Sequence, residues 1–400
     1  MREVDLLVAG AGPAGCAAAL AARRAAPGLR LLLVDAARFP RDKPCGGAIT
    51  GGGLRELELA GLSLRVPRAT AAHAVLRVDG RSLRVALPRP AAVVRRLEWD
   101  ADLLAQVRER GVEVAEEAAL RSLSRDGRAF LALTGAGPVR CRALVCADGA
   151  AGPSRRLLGL PPGRRAPLRE ALAPGLQSDL VFDLDAAPAG YAWRFPCFSG
   201  GDAAESVGIY SMESTPSLSA ALRHWVEGEG PWPEREGRPE GARPGRAPAA
   251  EGLGEPGGAS ADRAAAWSLR LWEPGGPVGL PGALLAGDAL GADPLAGEGI
   301  RYALWSGRIA GEVAARALVR GAAPGPGEHR LRLRASRSGA ALALLSRLGR
   351  RLHGPDRRWR RMAADPGVAA ALAALVSGER PGWPVLRLLL RYRALSRSRP

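Results

Sequence analysis

A chain of 400 residues, 47% hydrophobic and carrying a formal charge of +17, is long and apolar enough to bury a sizeable core within two closely packed domains, which excludes a disordered tail-like protein. Its five cysteines show no CxxC pair and no zinc-ligand spacing, so neither a disulfide framework nor a metal site is expected. No apolar run reaches the roughly 20 residues that span a bilayer, and Glu3 and Asp5 stand where a secretory leader would be basic, so a cytoplasmic protein is expected.

The first predicted strand is VDLLVAG (4–10), followed by a helix, AGCAAALAARRA (14–25), and a second strand, LRLLLVDA (29–36). Between strand and helix lies GAGPAG, where Gly10, Gly12 and Gly15 have the GxGxxG spacing, and Asp35 follows 20 residues after Gly15. Such glycines allow a tight turn and close approach of backbone to a pyrophosphate. The helix N-terminus supplies free N–H groups, and a carboxylate at the end of the second strand can accept hydrogen bonds from a ribose. A dinucleotide site is the expectation.

The next stretch, RDKPCGGAIT (41–50), contains Lys43, the one lysine of a chain that also lacks asparagine. A bias that puts arginine everywhere else has spared it, so the loop is expected to lie against something that constrains it. Short strands follow around AVLRVDGRSLRVAL (74–87), with a turn at Asp79-Gly80. LEWDADLLAQVRERG (97–111) reads as a helix stopped by its glycine, and RCRALVCADG (140–149) as a buried strand. Aromatic residues make up only 4% of the chain, which gives their clustering in YAWRFPCF (191–198) weight; VGIYSM (207–212) lies on another strand. Residues 227–263 are so rich in Gly, Pro and charge that a flexible insertion is predicted.

In LLAGDALGADPLAGEGIRYALWSG (284–307) an apolar strand ends in Gly287-Asp288, and a loop with Gly291, Gly297 and Gly299 leads into another helix. A single NAD unit needs no such second loop. FAD does, because its ribityl chain and isoalloxazine reach across the sheet. From Glu328 onward seventeen arginines face four acids, leaving about +4 for the rest of the chain. SGAALALLSRLGRRL (338–352) and PVLRLLLRYRALSR (384–397) interleave apolar and basic residues; a solvated face and an anionic membrane surface both suit this pattern. No recognised nucleic-acid motif accompanies the charge, so no nucleic-acid partner is expected.

GAGPAG with Asp35, PRDKPCGG, RRLEWDADL, CADGAAGPSRR, GYAWRFP with VGIY, and GDALGADPLAGEGI occur in this order over roughly residues 3–320. In this the chain resembles the geranylgeranyl reductase family, within the p-hydroxybenzoate hydroxylase type of FAD flavoproteins. Together with the order of elements, the resemblance predicts an α/β fold: a Rossmann-type FAD-binding domain (1–62, 96–165 and 276–325), a mixed-sheet substrate domain (63–95 and 166–275) and a basic helical extension (326–400).

The resemblance also implies roles for individual residues. Lys43, Cys45, Gly46 and Gly47 would border the flavin, Arg96 would contact FAD, and the backbone near Leu120 would touch its adenosine end. Asp148 and Gly149 match a motif on the pyrophosphate side that is associated with nicotinamide access. Asp288 would hold the ribityl or phosphate region, while Gly299 and Ile300 would direct N–H groups at the flavin pyrimidine. Tyr191, Trp193, Phe195 and Pro196 resemble a substrate wall, with Cys45, Tyr191 and Trp193 on the catalytic side; Cys16, Cys141 and Cys146 are read as packing residues.

The implied activity is hydride transfer from FAD, reduced by NADPH or another donor, to a double bond of a prenyl chain on a lipid, quinone or pigment. Flavin-dependent hydroxylation of a hydrophobic or aromatic substrate is the alternative enzyme. Halogenation fits less well, because the related W-x-W-x-I-P motif is altered at Tyr191 and Phe195 and Lys43 belongs to the cofactor loop. The iron–sulfur quinone oxidoreductases that resemble this family need cysteines, and none follows Cys197. A flavoprotein that binds lipid or quinone without turnover is a reading of another class.

Overall fold

The computed structural model describes residues 1–175, 177–187, 189–212, 218–226, 264–353 and 357–378. The insertion predicted over 227–263 and the segment 384–397 lie outside these residues.

Two sheets share the chain in alternation. Residues 2–34, 113–146 and 279–285 supply the first, and 48–93 and 165–270 the second. In the first sheet the parallel strands Ala283–Leu285, Gly137–Cys146, Arg2–Ala9, Leu31–Val34 and Glu113–Ala115 lie side by side in that order. Strands Arg2–Ala9 and Leu31–Val34 are apolar because helices and the antiparallel strands around them leave almost no water on either face: Leu6, Leu7, Leu32 and Leu33 are fully buried.

Helix Pro13–Ala25 begins with proline at its first position, and more than half of its residues are alanine. The reason is its neighbour, helix Ile300–Val319. A Cβ at Gly307 or Gly311 would lie 2.0 or 2.1 Å from the carbonyl oxygens of Ala14 and Ala18, so small residues on both helices let the two backbones touch. This contact sets the two glycine loops that begin these helices side by side.

The second sheet runs Ala265–Arg270, Arg165–Pro174, Asp202–Ser211, Gly190–Ser199, Leu180–Asp183, Ala69–Val78, Arg81–Val93, Ala48–Ile49. All neighbours are antiparallel except Leu180–Asp183 beside Ala69–Val78. Asp79 and Gly80 turn the hairpin with φ of +51° and +69°, which places both central residues in the left-handed region of a tight hairpin turn.

Helices Pro326–Arg334, Arg337–Leu352, Arg357–Ala363 and Pro366–Val376 follow. They join the main core rather than standing apart: Leu342, Leu345, Val368 and Leu375 are at most 1% exposed, each burial contributing about 2 kcal/mol. This corrects the expectation that solvent or a membrane surface covers the apolar face of helix Arg337–Leu352. Its apolar stripe of Ala341, Leu342, Leu345, Leu348 and Leu352 is spent inside the protein, and Arg347 and Arg350 face outward. Among the described residues no helix is long and apolar enough to cross a membrane.

Candidate active site

A cleft of about 380 Å³ runs along the C-terminal ends of the parallel strands, where ligands of such sheets bind. Gly10 turns the chain there at φ +100°, and a Cβ on it would lie 2.3 Å from the Ala147 carbonyl oxygen, so glycine alone fits. Gly15 is needed for packing: its Cβ would strike the Gly10 carbonyl oxygen at 1.7 Å, and it does not border the cleft. Gly12 caps helix Pro13–Ala25, which has no side-chain cap and no acid in its first turn, leaving N–H groups for an anion. Asp35 accepts from Ala11 N–H at 2.6 Å and Ala37 N–H at 2.8 Å, tying the glycine loop to the second strand at the cleft's edge.

Buried acids hold the cations of the cleft. Asp100, fully buried, pairs with Arg96 through two 2.7 Å hydrogen bonds and with Arg41 at 3.1 Å. Lys43 Nζ donates to Asp288 Oδ2 at 2.9 Å, joining loop 41–50 to the turn Gly287–Ala289 across 245 positions of sequence. Burial pushes Asp288 up, but Lys43, with Arg96 and Arg270 behind it, holds its carboxyl below the usual range. A compact ammonium on a flexible stem suits this bridge better than a guanidinium fork.

Leu120 borders the same cleft. Asp148 does too, with its carboxylate accepting from Ser154 N–H at 2.8 Å and from the Ser154 hydroxyl, and burial pushes its pKa up. The cradle at Gly10 and Gly12, the uncapped helix and the three oriented cations fit a dinucleotide pyrophosphate.

A second cavity, about 210 Å³, meets the cleft along Pro13, Lys43, Arg96, Asp288 and Ala303. One wall is the second sheet. Leu180, Phe182 and Leu184, like Tyr191, Trp193 and Phe195, are two residues apart and therefore point to the same face. Pro196 pairs with Glu205 on the other face and is not in the lining, so the aromatic wall ends at Phe195. Gly46 lies flat on that wall: a Cβ there would come within 2.7 Å of the Phe195 ring.

Hydrogen bonds order the wall. Trp193 Nε1 donates to Ser206 Oγ at 3.2 Å, Ser206 donates to Glu170 at 3.0 Å, and Cys45 N–H donates to the other Glu170 oxygen at 2.8 Å. Burial pushes the Glu170 carboxyl up to about 7. The Tyr191 hydroxyl donates to the Ala296 carbonyl. Gly299 and Ile300, at the start of helix Ile300–Val319, border this cavity and not the dinucleotide cleft.

The facing wall comes from the C-terminal helices. Ala369, Leu372, Ala373 and Val376 lie at i, i+3, i+4 and i+7, one stripe of helix Pro366–Val376, joined by Leu352 and His353.

Residues 3–236 match the model of the FAD binding domain family. The chain belongs to this family. It is 32% identical to a menaquinone reductase of Mycobacterium tuberculosis over 78% of this chain and 76% of that one. It is 30% identical to digeranylgeranylglycerophospholipid reductase 1 of Methanopyrus kandleri, over 79% of this chain and 81% of that one. A solved structure, of a geranylgeranyl bacteriochlorophyll reductase-like protein from Thermoplasma acidophilum, aligns with a TM-score of 0.73 at 19% identity, covering 99% of this chain and 100% of that one. The chain is an FAD-dependent oxidoreductase, and the likeness to geranylgeranyl reductases carried by its motifs stands.

Within this flavoprotein the sequence brought Lys43, Cys45, Gly46, Arg96, Asp288, Tyr191 and Trp193 into view, and these line the junction of the two cavities or the wall beside it. Sequence reasoning missed Thr50, Glu170, Glu298 and the stripe of helix Pro366–Val376. For the helix a signal existed, in the spacing of residues 369, 372, 373 and 376 before Ser377-Gly378. Glu298 was visible only as part of a glycine motif, and nothing local marks Glu170 as the acid under Trp193.

Proposed function

We propose that this flavoprotein reduces carbon–carbon double bonds of a prenyl chain carried by a lipid, quinone or pigment. The observation behind this reading is the junction itself: an apolar, aromatic-walled cavity opens onto the cofactor cleft at the Lys43–Asp288 ion pair. A long hydrocarbon needs shape more than polar contacts, and the names of the two relatives point to lipid and quinone substrates. FAD supplies two-electron hydride chemistry when bound, with NADPH or another reductant as its donor.

In this reading Gly10, Gly12 and Gly15 shape the pyrophosphate loop, Asp35 meets the ribose, and Leu120 and Asp148 flank the adenosine and pyrophosphate. Arg96, Lys43 and Asp288 hold the middle of the cofactor, and Gly46, Gly299 and Ile300 bring backbone to the flavin. Cys45, Tyr191 and Trp193 stand on the substrate side, excluding water and holding the chain against the ring. Anaerobic stopped-flow tests the reading: reduced flavin should be reoxidised by a prenylated lipid or quinone, with a product two mass units heavier. Reoxidation by oxygen alone, with a hydroxylated product, would favour the monooxygenase alternative. Loss of FAD reduction and of product alike would favour the non-catalytic binder.

The basic tail is proposed to bring the enzyme to an anionic membrane surface, at roughly 1 kcal/mol for each basic residue near it. Flotation with anionic liposomes should show binding that weakens with salt; equal binding to neutral vesicles would count against it.

A further inference from the structure

Reduction of a double bond consumes a proton as well as a hydride, and the proposed function leaves the proton donor open. The cavity lining contains several acids and hydroxyls, and their hydrogen bonds separate them. Asp288 is held ionised by Lys43 and has no proton to give. The Tyr191 hydroxyl is committed to the Ala296 carbonyl, and burial pushes its pKa far above the usual phenol value. His353 Nε2 sits 2.8 Å from the Leu295 carbonyl, and burial lowers its pKa to about 4, leaving a neutral ring that is a poor acid.

Glu298 differs from all three. It is 9% exposed and borders the cavity immediately before Gly299 and Ile300. Thr50, the N-cap of helix Gly51–Ala60, accepts from Gly53 N–H at 3.2 Å, so its own O–H is free to donate to Glu298 Oε1, 2.5 Å away. With Oε1 acting as acceptor, a carboxyl proton belongs on Oε2. That oxygen is buried and has no hydrogen-bond partner; the closest cation, Arg301 Nη1, is 3.7 Å away, beyond hydrogen-bond reach, and donates instead to the Val376 carbonyl at 3.2 Å.

We propose that Glu298 is the acid that protonates the prenyl double bond, an inference that rests on the reductase reading above. In the step, one alkene carbon gains a hydride from the reduced isoalloxazine and the other gains the Glu298 proton. The carbon–carbon π bond, the carboxyl O–H bond and the bond that held the hydride on the cofactor break, two C–H bonds form, the flavin is oxidised, and solvent returns a proton to the carboxylate. The charged groups facing Glu298 are Arg301 from the helix that follows it and Asp293 from its own loop, with Thr50, the N-cap of helix Gly51–Ala60, as the neutral donor. Burial outweighs Arg301 and the Thr50 hydrogen bond and pushes the carboxyl up to about 7, so the acid form is present at neutral pH, where general acids work best.

The test compares wild-type holoenzyme with Glu298→Gln, which preserves shape and the Thr50 contact. FAD content and reduction of the flavin by donor should match wild type, while anaerobic reoxidation by a prenylated quinone should slow about 100-fold. Wild-type reoxidation should decline above pH of about 7, and the variant should lose that limb. Independently of turnover, infrared difference spectra of the protein should show a protonated carboxyl that titrates in the same range and is missing in the variant. Reoxidation by Glu298→Gln at the wild-type rate, or a carboxyl already ionised well below pH 7, would overturn this inference alone. Wild-type reduced flavin that no prenyl substrate reoxidises would overturn the reductase reading and the inference with it.

Discussion

The dinucleotide cleft and the apolar cavity adjoin, yet they are built in opposite ways. The frame of the cleft is made of backbone: Gly10 and Gly12 at one helix start, Gly287 and Gly149 at sharp turns, with each turn specified within a few residues of sequence. The cavity is made of side chains from strands between Ala69 and Arg270 and from a helix that begins at Pro366. A pyrophosphate demands N–H groups at set positions, and few backbone paths provide them, so the cleft leaves a motif. A hydrocarbon demands only volume and dryness, which many residue sets supply, so the cavity leaves almost none.

The largest expected effect breaks the cleft and tests whether it is the FAD site. Gly10→Val would force side-chain atoms into the Ala147 carbonyl, 2.3 Å from where even a Cβ would lie, and should lower FAD affinity on the order of 100-fold, equivalent to the roughly 3 kcal/mol of strain that a side chain in this backbone conformation costs. Flavin absorbance of the purified variant reads this directly. Retention of stoichiometric FAD would mean that the pyrophosphate lies elsewhere.

Next in size is a change that should harm the cavity and spare the cleft. Arg301 is 2% exposed and ties helix Ile300–Val319 to the C-terminal helices through Ser338 Oγ and the Val376 carbonyl. Arg301→Leu removes both hydrogen bonds and the cation 3.7 Å from Glu298, and should destabilise the fold by about 3 kcal/mol, read as a lower denaturant midpoint with FAD still bound at low denaturant. Equal loss of FAD would show that cleft and cavity unfold as one unit.

A smaller effect sharpens the contrast within the cavity. Ala91, 1% exposed, lines it from strand Arg81–Val93. Ala91→Phe fills space and should raise KM about tenfold for long prenyl chains while leaving short chains and FAD content unchanged, at roughly 1–3 kcal/mol of overpacking. A KM that rises equally for every chain length would place the chain elsewhere.

The smallest effects are on stability against pH, and two walls of the cavity move in opposite senses. Burial lowers His353, in the cavity wall, from 6.5 to about 4. Its contribution is complete above pH 6.5 and is lost as pH falls through about 4. Burial raises Glu170, under the aromatic wall, from 4.5 to about 7, so its contribution is complete below pH 4.5 and is lost as pH rises through about 7. Melting curves of Glu170→Gln should therefore flatten over the upper window and those of His353→Gln over the lower one, each by about 3 °C. A Glu170→Gln profile parallel to wild type between these limits would show that the carboxyl is not titrating there.

The βαβ start, the second glycine loop, the hairpin turn at Asp79-Gly80 and the flavoprotein family were legible in the sequence, because each depends on residues adjacent in the chain and on backbone geometries open to few residue types. Lys43 was legible as an exception, and its reason emerged only when Asp288, 245 positions away, came within 2.9 Å. The inward apolar face of helix Arg337–Leu352, the cavity wall from helix Pro366–Val376, Glu170 beneath Trp193 and the free oxygen of Glu298 were decided by tertiary structure alone. An amphipathic stripe has the same sequence whether a bilayer or a protein core covers it. A carboxylate becomes an acid at neutral pH only when distant segments close over it and remove its water.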